Sequence, residues 1–331
     1  MRVLGIETSC DETGAAVLSS GWHVESSVVE SSMALHRDFG GVVPELAGRA
    51  HVETIGPTVQ AALARAGLDE RAPQLDAIAV TTGPGLVGSL LVGLAAAKAY
   101  ALAWDVPLVA VNHLEGHLYA PLLESPDLAW PLLTLLVSGG HTQLVLVEAP
   151  GRFVVLGETI DDAAGEAYDK VARWLGLGYP GGPPIDRLAG SGDPSSLALP
   201  VSMTGEGLDF SFSGLKSAVV RAGERHPVAA ADVAAAFQAA VVEQLTRKLV
   251  QALARHRVAG VALAGGVAAN GALRAATAAI AAEHGIAAHL PSPAYCTDNG
   301  AMIAAAGLVH LAAGDVAGLD GGVDPTWALG A

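Results

Sequence analysis

Cysteine is nearly absent: 331 residues contain only Cys10 and Cys296. At most one disulfide can form, which excludes a disulfide-framed scaffold and makes a reducing, cytoplasmic setting the expectation. Aromatic residues are few, at 5%, although apolar residues make up 51%. The core must therefore be Ala, Val and Leu, which suits helices packed closely on sheets better than an aromatic-rich sandwich. Positive charge is also scarce: 18 Lys and Arg face 33 Asp and Glu, a net charge of −15. That balance excludes a generally basic nucleic-acid binder, though not a local patch such as Arg247, Lys248, Arg255 and Arg257. The opening MRVLGIETSC reaches Glu7 too soon for a signal peptide, so none is expected. The longest apolar run, residues 87–104, contains Lys98 and reads as a buried helix rather than a membrane span.

Two stretches share one design. RVLGIETSCDETGAAVL (2–18) and LLTLLVSGGHTQLVLVE (132–148) each read as a strand, a small polar turn and an antiparallel strand. Thr8, Ser9 and Thr13 fill the first turn; Ser138, Gly139, Gly140 and Thr142 fill the second. Such turns aim backbone N–H groups and hydroxyls at a phosphate. Their repetition predicts a duplicated α/β chain that grips a nucleotide between its halves, divided near residue 130 into 1–130 and 131–331. The region near 157–225, rich in Gly, Pro and Asp, reads as an insertion in the second half.

NHLEGHLYA (112–120) holds His113 and His117 four apart. On a helix they share one face and both reach one cation. Glu115 lies two positions from each, turned roughly 200° away. A zinc protease of the H-E-x-x-H type keeps its glutamate beside the first histidine, so this pair reads as a metal anchor without the protease base. Asp298 in CTDNG is the best third ligand; two histidines and a carboxylate suit iron or zinc with positions left open. Its plain alternative is a helix cap.

In LAGGVAANGALR (263–274), glycines allow close approach of a flat ligand and Asn270 offers a polar contact. In GYPGGPPIDRLA, Asp186 follows an irregular glycine loop and suits ribose hydroxyls. Asp161, Asp162, Glu166, Asp169 and Lys170 read from spacing as a solvated helical face. Cys10, with no histidine close in sequence, reads as a small core residue rather than a nucleophile. Ser213 and Lys216 form a weak Ser-x-x-Lys pattern, with Ser213 read as a helix cap.

Together, GIETSCDET, NHLEGHLYA, LLVSGGHTQL, ETIDDAAGEAYDKVARWLGLGYPGGPPID, FSFSGLKSA, AGGVAANGALR and YCTDNGAMIA closely resemble the TsaD family, the tRNA threonylcarbamoyladenosine transferases once labelled O-sialoglycoprotein endopeptidases. The resemblance implies a duplicated actin-like ATPase fold (ASKHA, ribonuclease H-like), with two lobes and a cleft between them. It implies transfer of threonylcarbamoyl from threonylcarbamoyl-AMP to the exocyclic amine of the adenosine 3′ of the anticodon, in tRNAs that read codons starting with A. His113, His117 and Asp298 match the family's ligands for one divalent ion, iron or zinc. Leu136, Val137, Ser138, Gly139 and Gly140 match its substrate loop; Asp169, Gly182, Asp186 and Asn270 match its other nucleotide contacts. Implied partners are tRNA, an inactive paralogue (TsaB type) and a small ATPase (TsaE type), with Mg/ATP as a further cofactor and no membrane.

The chemistry is consistent with this. An adenine amine is a poor nucleophile, so the acyl donor must be activated, and a mixed anhydride supplies that. Asp11 is the candidate general base, with a turn or cap role as its alternative. Competing readings are a metal-dependent glycoprotein endopeptidase, a small-molecule carbamoyltransferase of the same fold, and a nucleotide-binding partner protein without chemistry.

Overall fold

The computed structural model describes residues 1–205, 207–225 and 228–330. The chain forms two compact units: Met1–Leu128 with Thr297–Ala331, and Ala129–Cys296. In the first, β1 (Arg2–Glu7), β2 (Glu12–Ser19), β3 (His23–Ser31), β4 (Ala77–Gly83) and β5 (Leu108–Asn112) form a sheet of order β3-β2-β1-β4-β5. β1–β2–β3 is an antiparallel meander, and β4 and β5 join in parallel. Its first helices are α1 (Met33–His36), α2 (Pro44–Arg65), α3 (Val87–Trp104) and α4 (His113–Tyr119).

The second unit repeats the plan with β6 (Leu132–Val137), β7 (Thr142–Ala149), β8 (Arg152–Glu158), β9 (Gly260–Ala264) and β10 (Ala287–His289). Its order is β10-β9-β6-β7-β8, with β6–β7–β8 antiparallel and β6–β9–β10 parallel. Its helices are α5 (Ala164–Trp174), α6 (Gly182–Ala189), α7 (Ser213–Arg225), α8 (Ala230–Leu253), α9 (Gly271–Glu283) and α10 (Pro293–Cys296). The insertion-like region supplies α5, α6 and α7. Both sheets therefore open with a hairpin whose first strand is central, and that places each small polar turn at a strand end.

The chain then returns to the first unit as α11 (Gly300–Ala313). The sequence reading put this segment, and Asp298 with it, in the second half. Small residues explain the return. A Cβ on Gly5 would lie 2.1 Å from the Gly300 carbonyl oxygen, one on Gly14 2.7 Å from the Gly300 nitrogen, and one on Gly307 2.3 Å from the Ala79 Cβ. Glycine on both sides lets the helix lie directly on β1, β2 and β4, a pairing invisible to local periodicity. The core there is Val3, Leu4, Ile6, Val17, Ile78 and Val80, all buried, as the scarcity of aromatics requires.

The apolar run is helical but not buried all round. Ser89, Leu90, Gly93, Leu94, Ala97 and Ala101 are buried, whereas Leu91 and Leu102 are exposed. It is the one helix among the described residues long and apolar enough to cross a membrane.

Candidate functional site

The first unit carries the strongest cluster of ligating groups. Asn112 ends β5 and caps α4: its Oδ1 accepts from the backbone N–H of Leu114 at 2.9 Å, while its Nδ2 donates to the Trp327 carbonyl at 3.2 Å. All seven residues of α4 are buried. A Cβ on Gly116 would lie 2.9 Å from Ile303 Cδ1, so glycine lets α4 sit close on α11. This fixes His113 and His117 on one side of a short helix, their ring centroids 4.8 Å apart.

Asp298 comes from the turn that starts α11, where Asn299, not Asp298, is the cap: its Oδ1 accepts from the Met302 N–H at 3.0 Å. Asp298 Oδ1 stands 3.2 Å from His117 Nε2 and 3.5 Å from His113 Nε2. The ligating atoms of the three residues lie within 4.8 Å of one another. Donors bound at about 2.0–2.2 Å to a tetrahedral ion would be separated by about 3.4 Å. His117 is completely buried, and both its ring nitrogens lack a hydrogen-bond partner. Its Nε2 is close to Asp298 but not aligned to donate to it. A buried imidazole left in this way costs folding free energy unless something occupies the lone pair, and a divalent cation fits that requirement.

The surroundings reinforce the fit. Glu7 Oε2 lies 3.0 Å from His113 Nδ1 and accepts from the Thr81 hydroxyl at 2.5 Å, while Glu7 Oε1 accepts from the Ser9 N–H. With the Nδ1 side of His113 engaged by Glu7, Nε2 is the ring nitrogen that faces Asp298, where a bound cation would take the place of its proton. Burial disfavours the charged form of both residues, but in each it is outweighed. Asp298 and Glu7 push His113 up to about 9, and His113 holds the Glu7 carboxyl below its usual range. Glu12 is pushed up to about 10, first by burial and then by Asp298 and Asp11. Asp11 sits in the same β1–β2 turn, largely buried, its carbonyl accepting from Ser32 N–H and Oγ–H. Cys10, beside it, is no thiolate: burial above all, then Asp11 and Asp298, push its thiol up. The sequence reading missed Glu7 and Glu12. A glutamate inside the apolar strand LGIETS was the available signal for Glu7.

Glu115 is turned away, as regular helix geometry requires. Its Oε1 accepts from the Tyr119 hydroxyl at 3.0 Å, and its Oε2 pairs with His310 Nε2 at 2.9 Å. Glu115 is therefore not placed to serve as the metal-water base that an H-E-x-x-H protease uses.

In the second unit, the turn after β6 is tied by Ser138 N–H donating to the His141 carbonyl at 2.8 Å. Nothing lies within 4 Å of a Cβ built on Gly139 or Gly140, so this stretch is open. It abuts the start of α5, where a Cβ on Gly165 would strike Ser138 O at 2.5 Å. Leu136 and Val137 differ: both are fully buried in β6 and paired to β7, so their side chains belong to the core. Asp169 does not join a solvated face. It is mostly buried, which raises its pKa, and its Oδ1 accepts from the Gly181 N–H at 2.7 Å. Gly181 packs on α5, whereas Gly182 has open space around it. Asp186 on α6 meets Asn270 at the start of α9, with Nδ2 3.1 Å from Oδ1. Within the basic stretch, Lys248 on α8 is buried and donates to the Gly205 and Gly207 carbonyls, and Arg247 pairs with Glu243, whereas Arg255 and Arg257 lie beyond α8 and are exposed. Ser213 is held at the start of α7 by Asp161, whose carboxylate accepts from its hydroxyl at 2.7 Å.

The TsaD profile, tRNA N6-adenosine threonylcarbamoyltransferase, matches residues 23–305. The tRNA N6-adenosine threonylcarbamoyltransferase of Symbiobacterium thermophilum is 52% identical over 332 residues, covering 99% of this chain and 97% of that one. Its counterpart in Anaeromyxobacter dehalogenans is 53% identical over 334 residues, covering 99% of both. Among solved structures, HypF of T. kodakarensis superposes with a TM-score of 0.64 at 15% identity, over 94% of this chain and 48% of that one. That likeness concerns the fold, the duplicated actin-like (ASKHA) architecture.

Proposed function

Because this chain belongs to the TsaD family of tRNA N6-adenosine threonylcarbamoyltransferases, we propose that it transfers a threonylcarbamoyl group to the exocyclic amine of an adenosine in tRNA. The donor is threonylcarbamoyl-AMP, and the acceptor is the adenosine 3′ of the anticodon in tRNAs reading codons that start with A. The observation that carries the reading is His117, wholly buried with two unpartnered nitrogens beside Asp298 and His113.

In the reaction the adenosine N6 attacks the carbamoyl carbon, the bond from that carbon to the phosphate oxygen breaks, AMP departs and N6 loses a proton. His113, His117 and Asp298 would hold iron or zinc, which supplies Lewis-acid stabilisation of developing negative charge when bound. Glu7 orients His113 by accepting a hydrogen bond from its Nδ1–H. Backbone N–H groups of the Gly139–Gly140 turn, next to the start of α5, suit the donor's phosphate and carbonyl oxygens. Asp186 suits the ribose hydroxyls, and Gly182 leaves room for a flat ligand. Asp11, in the turn between β1 and β2, is the base that accepts the N6 proton.

A net charge of −15 opposes a polyanion. Much of the tRNA affinity therefore comes from partners, an inactive paralogue of TsaB type and a small ATPase of TsaE type acting with Mg/ATP, in the cytoplasm. The endopeptidase reading has no support, because Glu115 is engaged by Tyr119 and His310. The test combines this chain, such partners, threonylcarbamoyl-AMP and unmodified tRNA, with the nucleosides resolved by mass. Appearance of the threonylcarbamoyl adduct on adenosine is expected; unmodified tRNA with a modified small metabolite would favour the small-molecule carbamoyltransferase instead.

A further inference from the structure

One buried polar group beside the proposed nucleotide contacts has no role in the account above. Gln238 lies on α8, 8% exposed, with its Oε1 2.8 Å from Asn270 Nδ2. Its neighbour Phe237 packs edge-on against Tyr168 of α5 at 5.0 Å, which ties α8 to α5 at this level. Asn270 is the cap of α9, its Oδ1 accepting from the Leu273 N–H at 2.9 Å. Its Nδ2 also faces Asp186 Oδ1 at 3.1 Å, with the Tyr168 hydroxyl farther off at 3.5 Å. Asp186 Oδ2 accepts from the Gly271 N–H at 3.2 Å.

An amide NH2 carries two hydrogens. Gln238 takes one, which directs the other to the Asp186 side. The amide orientations are set by the same pattern. Turning Asn270 over would point its carbonyl at a carboxylate and abandon the helix cap; turning Gln238 over would oppose two NH2 groups. Each Asp186 oxygen thus accepts one hydrogen bond from the start of α9 and keeps capacity for another. Two acceptor oxygens held in a fixed plane match a vicinal diol.

We infer that Gln238 is a positioning residue for nucleotide recognition: by holding one hydrogen of the Asn270 amide it fixes the plane of the Asp186 carboxylate that reads the ribose 2′ and 3′ hydroxyls. This inference rests on the proposed nucleotide donor and on Asp186 as its ribose contact. It assigns Gln238 no contact with the reacting atoms.

The test is calorimetric binding of AMP, 2′-deoxy-AMP and 3′-deoxy-AMP to the full chain and to Q238M and Q238E. Methionine keeps the volume and removes the acceptor; glutamate keeps both shape and acceptor. Losing one ordering hydrogen bond predicts about tenfold weaker AMP binding by Q238M. Its preference for AMP over the deoxy forms should fall to within about twofold, while Q238E retains most of the affinity and the preference. A merely structural role would lower the fraction of active protein without changing that preference. Gln238→Leu repeats the test with another apolar shape if methionine does not pack. Wild-type affinity and discrimination in a folded Q238M or Q238L overturn the inference and leave the donor reading intact. A wild-type chain that binds AMP with no ribose preference overturns the Asp186 reading itself, and the inference with it.

Discussion

Glu7 Oε2 lies 3.0 Å from Nδ1 of His113, while the other ring nitrogen of His113 faces Asp298 at 3.5 Å. One carboxylate thus orients the imidazole from behind and another meets it in front. Carboxylate partners of ligating histidines typically contribute 10–100-fold to metal affinity. Glu7→Gln, which keeps the shape but removes the charge, should weaken zinc binding by about tenfold in a chelator competition. Unchanged affinity would show that Glu7 serves only the fold.

The orphaned His117 predicts that the ion contributes to stability as well as chemistry. Stripping the chain with chelator should lower its Tm and adding zinc should restore it, because the ion binds the folded chain only. In Asp298→Ala, the response to zinc should shrink to a small fraction of the wild-type shift, measured by scanning calorimetry.

His310 gives a pH-dependent prediction. Its hydrogen bond to Glu115 raises it, burial opposes, and Asp315 adds to the rise, bringing it to about 9. A folded-state value above the unfolded one, about 6.5, stabilises fully below that lower value and fades as pH climbs through the upper one. The Tm gap between wild type and His310→Gln should be widest below about pH 6.5 and should close by about pH 9.5. A gap that widens with pH contradicts the assigned sign.

Much of the site was legible from residue types. The i,i+4 histidines share a face because any helix makes them do so, and Glu115 points away for the same reason. The two hairpins showed as matching strand–turn–strand patterns, and they occupy equivalent places in two sheets of the same topology. Partners defined only by tertiary packing were not legible. Glu7 owes its character to His113, more than 100 positions away, and Glu12 to burial beside Asp298, nearly 300 positions away in the chain. Leu136 and Val137 belong to the loop motif by sequence, yet their side chains face the core. The return of α11 to the first unit depends on glycines that permit backbone contact, which no hydrophobic period records.

Those glycines are testable. Gly5→Ala puts a Cβ 2.1 Å from the Gly300 carbonyl oxygen. Rigid backbone on both sides makes a cost of about 3 kcal/mol or more the expectation in chemical denaturation. Because α11 carries Asp298 at its start, zinc affinity should fall together with stability.

Gly181 and Gly182 separate packing from ligand access. A Cβ on Gly181 would lie 2.5 Å from the Ala172 Cβ, whereas one on Gly182 meets nothing within 4 Å. Gly181→Ala should therefore destabilise the chain, while Gly182→Ala should leave its Tm unchanged and weaken AMP binding. Normal AMP binding by Gly182→Ala would remove Gly182 from the nucleotide contacts.

The central claim is that His113, His117 and Asp298 bind an ion that the transfer to tRNA requires. The most direct measurement follows threonylcarbamoyl-adenosine formation in unmodified tRNA by nucleoside mass, using the reconstituted system with native, metal-stripped and zinc- or iron-restored chain, and with His117→Ala. The account predicts product from the native and restored chains and little from the stripped chain or the variant. Product formed at the native rate by the stripped chain would contradict it.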